Sequence, residues 1–343
     1  MKPAPNQTDA VPGKATGGKE QNRSGLNLSR YRSFIVLVLM FVVATILAEP
    51  FLSLRNLSQV ISQYSIVGIL AVGMTFVVLT GGIDLSVGSV MLCAGVITAG
   101  LLKAGHVSPL VAVLACVGIG ATLGLINGLM VALLRLPPFI ATLAMMVGAI
   151  SIGQVYSEGS PIIVGDKMPA LVSFFDTFLF APENAGRGDF PGIPVSGLLC
   201  VIVAVIAHVT LKYGRYGRHV YAVGGNPEAA RLSGINTRMI EASVYLVSGT
   251  LAGIAALIYT ARLQSGQALY GQNYEMDAIA SAVIGGASLF GGIGTIGGTI
   301  IGVLFVGILI NVMQLKNVDP YLQGGIRALA IILGVLLQTM KKD

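Results

Sequence analysis

Ten apolar runs are spaced along the chain: Phe34 to Ala48, Val60 to Leu79, Val87 to Leu102, Pro109 to Leu134, Phe139 to Tyr156, Val195 to Leu211, Ile240 to Thr260, Ala278 to Leu289, Ile296 to Met313 and Leu322 to Thr339. A hydrocarbon core needs roughly 20 apolar residues per helix, so this pattern predicts an all-α polytopic membrane protein with about ten transmembrane helices. An even number of spans puts both termini on one side. The short eighth run, and the glycine-rich joints on either side of the third and ninth, are expected to be broken or partly re-entrant.

Composition agrees. Of 343 residues, 54% are hydrophobic and only 10% charged, whereas soluble domains carry about 25% charged residues. The net charge of +6 does not point to nucleic acid, because the basic residues have no interleaved aromatic platform. It points to sidedness instead. With the termini inside, inner segments hold fourteen Lys and Arg and outer segments six, the bias of a cytoplasmic face. Residues 1–29 are polar and Gly/Pro-rich and are expected to be a disordered cytoplasmic tail, ahead of a transmembrane domain over residues 30–343. Within the tail, Gly13 to Lys19 imitates a phosphate-binding loop, but Glu20 replaces the metal-holding Ser or Thr and no strand precedes it. The first apolar run is not expected to be cleaved, because Ile46 stands where a small residue should. Cys93, Cys116 and Cys200 lie singly in apolar runs and predict neither disulfide nor metal.

Residues Thr80 to Val90 recur 210 positions later as Phe290 to Ile300. Both copies read Gly-Gly-Ile, four residues, Gly, then Ser or Thr. The pairs Gly81-Gly82 and Gly291-Gly292 interrupt apolar regions, and paired interruptions mark transport pathways; close helix packing by glycine is the plainer account. Asp84, with Ser86 and Ser89 beside it, sits at a span end. A buried carboxylate is costly, so Asp84 is read either as a cap for the following helix or as a gating or proton-handling group. Asn127, Gln154, Asn311, Gln314 and Arg327 lie within spans; amides there bond neighbouring helices or, for Asn127 and Asn311, stand in for water around a passing sugar.

Residues 212–238 form the longest polar stretch on the inner side. Asn226 is a strong cap, Pro227 suits the first helical position, Glu228 complements the helix dipole and Gly234 supplies a left-handed stop. A helix from Pro227 to Ser233 is too short to stand alone, so it packs under its own bundle or docks on a partner.

Taken in order, AVGMTFVVLTGGIDLSVGSV (Ala71 to Val90), FIATLAMM (Phe139 to Met146), GSPI (Gly159 to Ile162), GRHVYAVGGNPEAARLSGIN (Gly217 to Asn236) and YEMDAIASAVIGGASLFGGIGTIGGTIIG (Tyr274 to Gly302) resemble the ribose-type permease subunits of bacterial ATP-binding-cassette sugar importers. The resemblance spans roughly Arg32 to Lys342. It implies a homodimeric, multi-pass inner-membrane permease working with a tandem-domain cytoplasmic ATPase and a periplasmic sugar-binding protein. It also implies an ATPase-coupling motif over Gly224, Gly225, Asn226, Pro227, Glu228, Ala229, Ala230, Arg231 and Gly234, and a membrane signature over Gly81, Gly82, Asp84, Leu85, Ser86, Gly88 and Ser89. The expected pathway set is Gly81, Gly82, Asp84, Ser86, Ser89, Asn127, Gly291, Gly292 and Asn311. No catalytic residue, cofactor or metal is expected in this chain. The competing reading is an ion-coupled secondary transporter that binds its ion at Asp84.

Overall fold

The structure, a computed structural model, describes residues 32–181, 191–268 and 273–339. The tail with its Gly13 to Lys19 motif, Glu183, Arg187 and Asp189, expected in an outer loop, and Lys341 with Lys342 lie outside these. The helices are α1 (Arg32–Leu47), α2 (Leu54–Leu79), α3 (Val87–Ala104), α4 (Pro109–Ala132), α5 (Pro138–Tyr156), α6 (Ala170–Ser173), α7 (Val195–Tyr213), α8 (Arg215–Gly225), α9 (Pro227–Leu232), α10 (Thr237–Leu263), α11 (Tyr274–Ile284), α12 (Ile296–Leu315) and α13 (Pro320–Thr339). Two short antiparallel pairs tie loops together: β1 (Ile162–Ile163) with β4 (Ser265–Gly266), and β2 (Phe178–Leu179) with β3 (Ile193–Pro194).

Each predicted run contains a helix. Among the described residues, seven helices are long and apolar enough to cross a membrane: α2, α3, α4, α5, α7, α10 and α12. The eighth run yields only the 11-residue α11, about 16 Å long against a hydrocarbon core of about 30 Å. Gly285 and Gly286 follow it, and Gly286 has a left-handed φ of 102°. Inside the polar loop, α8 is an amphipathic helix that buries Val220 and Val223.

Helices α2, α10 and α3 form the centre, with 89%, 78% and 72% of their apolar stretches buried, against 28% in α4 and α5 and 33% in α7. That gradient is what a lipid-facing shell around an inner group produces. Caps set the ends: Ser53 Oγ accepts from Asn56 N at the start of α2, and Asn236 Oδ1 accepts from Met239 N at the start of α10. Gly120, Gly124 and Gly128 recur every fourth residue on α4, so one face of it meets the α10 backbone at Gly249 and Gly253 directly. In lipid, such close backbone approach replaces the hydrophobic drive that helix association lacks.

Two ion pairs tie elements of the bundle together. Arg327 of α13 donates from Nη1 to both oxygens of Asp277 on α11, at 2.9 and 3.0 Å. The sequence pattern places Asp277 among outer-loop acids; the fold buries it at 6% exposure. Arg262, at the end of α10, donates to Asp176 and to the Ser62 hydroxyl and carbonyl, clamping the segment around Asp176 onto α2.

Candidate functional site

The residues singled out by sequence fall into two groups and one outlier. The first group surrounds Asp84. Its Oδ1 accepts from Ser86 N at 2.9 Å and Ser86 Oγ at 2.6 Å, and its Oδ2 accepts from Ser248 Oγ at 3.0 Å. Asn127 Nδ2 donates to Ser86 Oγ at 2.7 Å, and Ser89 Oγ donates to the Ser86 carbonyl at 2.8 Å. Asp84, Ser86, Ser89 and Asn127 are all buried. Their partner Ser248 carries no sequence signal, being one hydroxyl among many in an apolar helix.

The depth of this cluster is not what a span end implies. Ser248 lies two residues from the middle of the 27-residue α10, about 3 Å along its axis. The chain therefore leaves α2 at Leu79 and climbs back into the bundle as non-helical backbone before α3 begins. Irregular backbone at that depth survives only where protein satisfies it, and the Asp84 carboxylate does so by accepting the free Ser86 N-H. In the second copy Gly294 replaces Asp84, and Thr295 Oγ1 caps α12 by accepting from Gly298 N at 3.1 Å. Helix α3 has no such side-chain cap; Asp84 bonds instead to Ser86, the residue that precedes its first turn. The first turn of α11 lies against the first turn of α3, so that a side chain at Gly88 would meet Tyr274 and Glu275.

The second group is a joint of backbones. Gly292 N donates to the Leu79 carbonyl at 2.9 Å, and Tyr221 Oη donates to the Gly294 carbonyl at 2.8 Å. A Cβ on Gly291 would lie 2.7 Å from Gly224 O and 3.0 Å from Gly81 N, and one on Gly224 would overlap the Leu79 carbonyl. Gly81, Gly291 and Gly292 take left-handed φ values of 79°, 87° and 72°, a conformation that glycine adopts at least cost. The turns of both repeat copies and the end of α8 therefore touch one another. Gly82 is near this joint, packed against Tyr245.

From the joint the chain passes directly into α9. Asn226 Oδ1 accepts from Ala229 N at 3.0 Å, as its sequence position predicts. Gly234 N donates to Arg231 O and Ile235 N to Ala230 O, at 3.0 and 3.1 Å, with φ 83° at Gly234; this pair of bonds closes the helix on a left-handed residue. Ala230 is buried toward the bundle, while Leu232 is 75% exposed. Glu228 and Arg231 are also exposed and pair with each other. Arg231 Nη2 and Nε donate to Glu228 Oε1 and Oε2, which holds the Glu228 carboxyl below the usual carboxylate range. Phe290 and Ile293, flanking the second glycine pair, are 89% and 59% exposed.

Asn311 is the outlier. Its Nδ2 donates to Asn56 Oδ1 and its Oδ1 accepts from Asn56 Nδ2, both at 2.9 Å. Its amide ties α12 to α2.

A match to the family described as "Branched-chain amino acid transport system / permease component" covers residues 56–336. The chain is 41% identical to the ribose import permease protein RbsC of Escherichia coli (strain K12), over 92% of this chain and 95% of that protein. It is 40% identical to RbsC of Bacillus subtilis (strain 168), over 90% and 92%. It is 35% identical to the xylose transport system permease protein XylH of Haemophilus influenzae, over 92% and 98%. No solved structure gives a significant match.

Proposed function

The chain belongs to this branched-chain amino acid transport system permease family, and from that premise we propose that it is the membrane-spanning subunit of an ATP-driven importer of ribose or a related monosaccharide. It is a multi-pass protein of the inner membrane, with both termini cytoplasmic and α1, α11 and α13 completing about ten membrane-embedded helices. Its partners are a tandem-domain cytoplasmic ATPase, a periplasmic sugar-binding protein, a second copy of itself and the surrounding lipid.

The observation that carries this reading is the glycine joint. Helix α9 offers Glu228, Arg231 and Leu232 outward, and its N-terminal neighbours Gly224 and Gly225 rest on the turns of both repeats. A push on α9 from a partner therefore reaches the backbone preceding α3 and α12 without an intervening flexible side chain. Gly81, Gly291 and Gly292 act in transmission in this account, and the Asp84 cluster holds the broken joint at mid-depth. The ion-coupled alternative finds no support in the family match or in the relatives.

Reconstitution tests it. In proteoliposomes, ribose uptake is expected only with ATP, the ATPase and the binding protein present, and the purified chain alone is expected to hydrolyse no ATP. Glu228→Arg is expected to leave expression intact, because this side chain faces solvent, while uptake and ATPase association fall together through like-charge contact at the docking face. Hydrolysis by the chain alone, or normal uptake by the variant, would overturn the assignment.

A further inference from the structure

Beside the joint, a cavity of about 450 Å³ opens between the α4–α5 turn, α9 and the first turns of α10. Arg238, Glu241 and Tyr245 line it from α10, and their spacing of three and four residues places them on one helix face. The cavity follows that face for roughly 10 Å. Arg135 enters from the α4–α5 turn and Arg231 from α9.

Its chemistry is that of an anion site. Three guanidinium groups face one carboxylate of the lining, Glu241, which Arg238 partly offsets; Arg231 is committed to Glu228. Arg135 and Arg238 make no hydrogen bond or ion pair among the described residues. At the floor, Tyr245 is 1% exposed and its hydroxyl has no partner among the described residues, although buried hydroxyls are nearly always bonded. A buried donor and two cations, Arg135 unpaired and Arg238 beside Glu241, line one volume of ligand size.

The rim distinguishes the source of the anion. Leu133, Leu134 and Leu136 flank Arg135 and are 59%, 68% and 37% exposed, a surface suited to acyl chains. We propose that the cavity binds the phosphate headgroup of an anionic phospholipid from the leaflet on the coupling-loop side. Arg135 and Arg238 meet the phosphate, the Tyr245 hydroxyl donates to a headgroup oxygen, and the tails leave over the leucines. Basic pockets between helices are a recognised form of such recognition.

The test uses the full chain in neutral detergent, with phosphatidylglycerol, phosphatidylcholine or inorganic phosphate added, and reads retained lipid by mass spectrometry and the melting temperature. Preferential retention of, and stabilisation by, phosphatidylglycerol is expected. Arg135→Gln and Arg238→Gln should each weaken it about five-fold. Tyr245→Phe removes a hydroxyl that has no partner among the described residues, so without lipid it should melt no lower than the native chain yet gain less from phosphatidylglycerol. Equal retention of both lipids, or an undiminished preference in the double arginine variant, would overturn the proposal. So would lipid stabilisation undiminished in Tyr245→Phe. Stabilisation by inorganic phosphate with no lipid preference would assign the cavity to a free anion and overturn the lipid.

Discussion

Asp84 shows how a residue's chemistry depends on where the fold carries it. Its carboxylate accepts three hydrogen bonds, from Ser86 N, Ser86 Oγ and Ser248 Oγ. Bonds to a charged group contribute about 1.5–3 kcal/mol each. Asp84→Ala leaves those donors buried without an acceptor and is expected to lower stability by roughly 2–4 kcal/mol, read as loss of folded protein in detergent. Asp84→Asn keeps one acceptor oxygen and turns an N-H toward Ser248, whose hydroxyl can rotate to accept, so folding and uptake should both persist. A well-folded Asn variant without uptake would show that the charge itself matters, and would return Asp84 to gating.

Among the elements, the contact of α8 with the two repeat turns makes a sharp distinction between neighbouring glycines. A Cβ at Gly224 would overlap the Leu79 carbonyl and lie 2.7 Å from Gly292 N, whereas one at Gly225 meets nothing within 4 Å. Gly224→Ala is therefore expected to push α8 off the joint at a cost of about 1–3 kcal/mol and to reduce ATP-driven uptake at least ten-fold. Gly225→Ala should transport normally. Equal effects of the two substitutions in an uptake assay would mean that the motif acts through its sequence alone and not through this contact. Such a result would also remove the mechanical route from α9 to α3 and α12.

At the scale of the whole molecule, orientation is the property everything else assumes. In a background with Cys93, Cys116 and Cys200 replaced by alanine, Glu158→Cys is expected to react in intact cells with an impermeant thiol reagent, and Arg231→Cys only after the cells are opened. Both positions are exposed, so access reports side and not burial. The excess of Lys and Arg on the α9 side is the physical basis of the expectation; the opposite labelling pattern would invert the topology and place α9 out of reach of a cytoplasmic ATPase.

The membrane class, the positions of the helices and the capped α9 were legible in the sequence because they depend on local properties. An apolar run long enough for hydrocarbon, an Asn-Pro-Glu start and a glycine stop act through residues a few positions apart, and α9 forms and ends where they say. The repeat was legible too, as matching Gly-Gly-Ile motifs. What the repeat does was not. That Gly81, Gly291 and Gly224 touch, that Asp84 lies midway along α10 beside Ser248, that Asn311 is bonded to Asn56 and that Asp277 is buried against Arg327 are facts about residues 50 to 255 positions apart. Apolar helices can pack in many registers with similar burial. Only the packed structure decides which polar groups and which glycine backbones meet, because those meetings follow from how all the helices fit together.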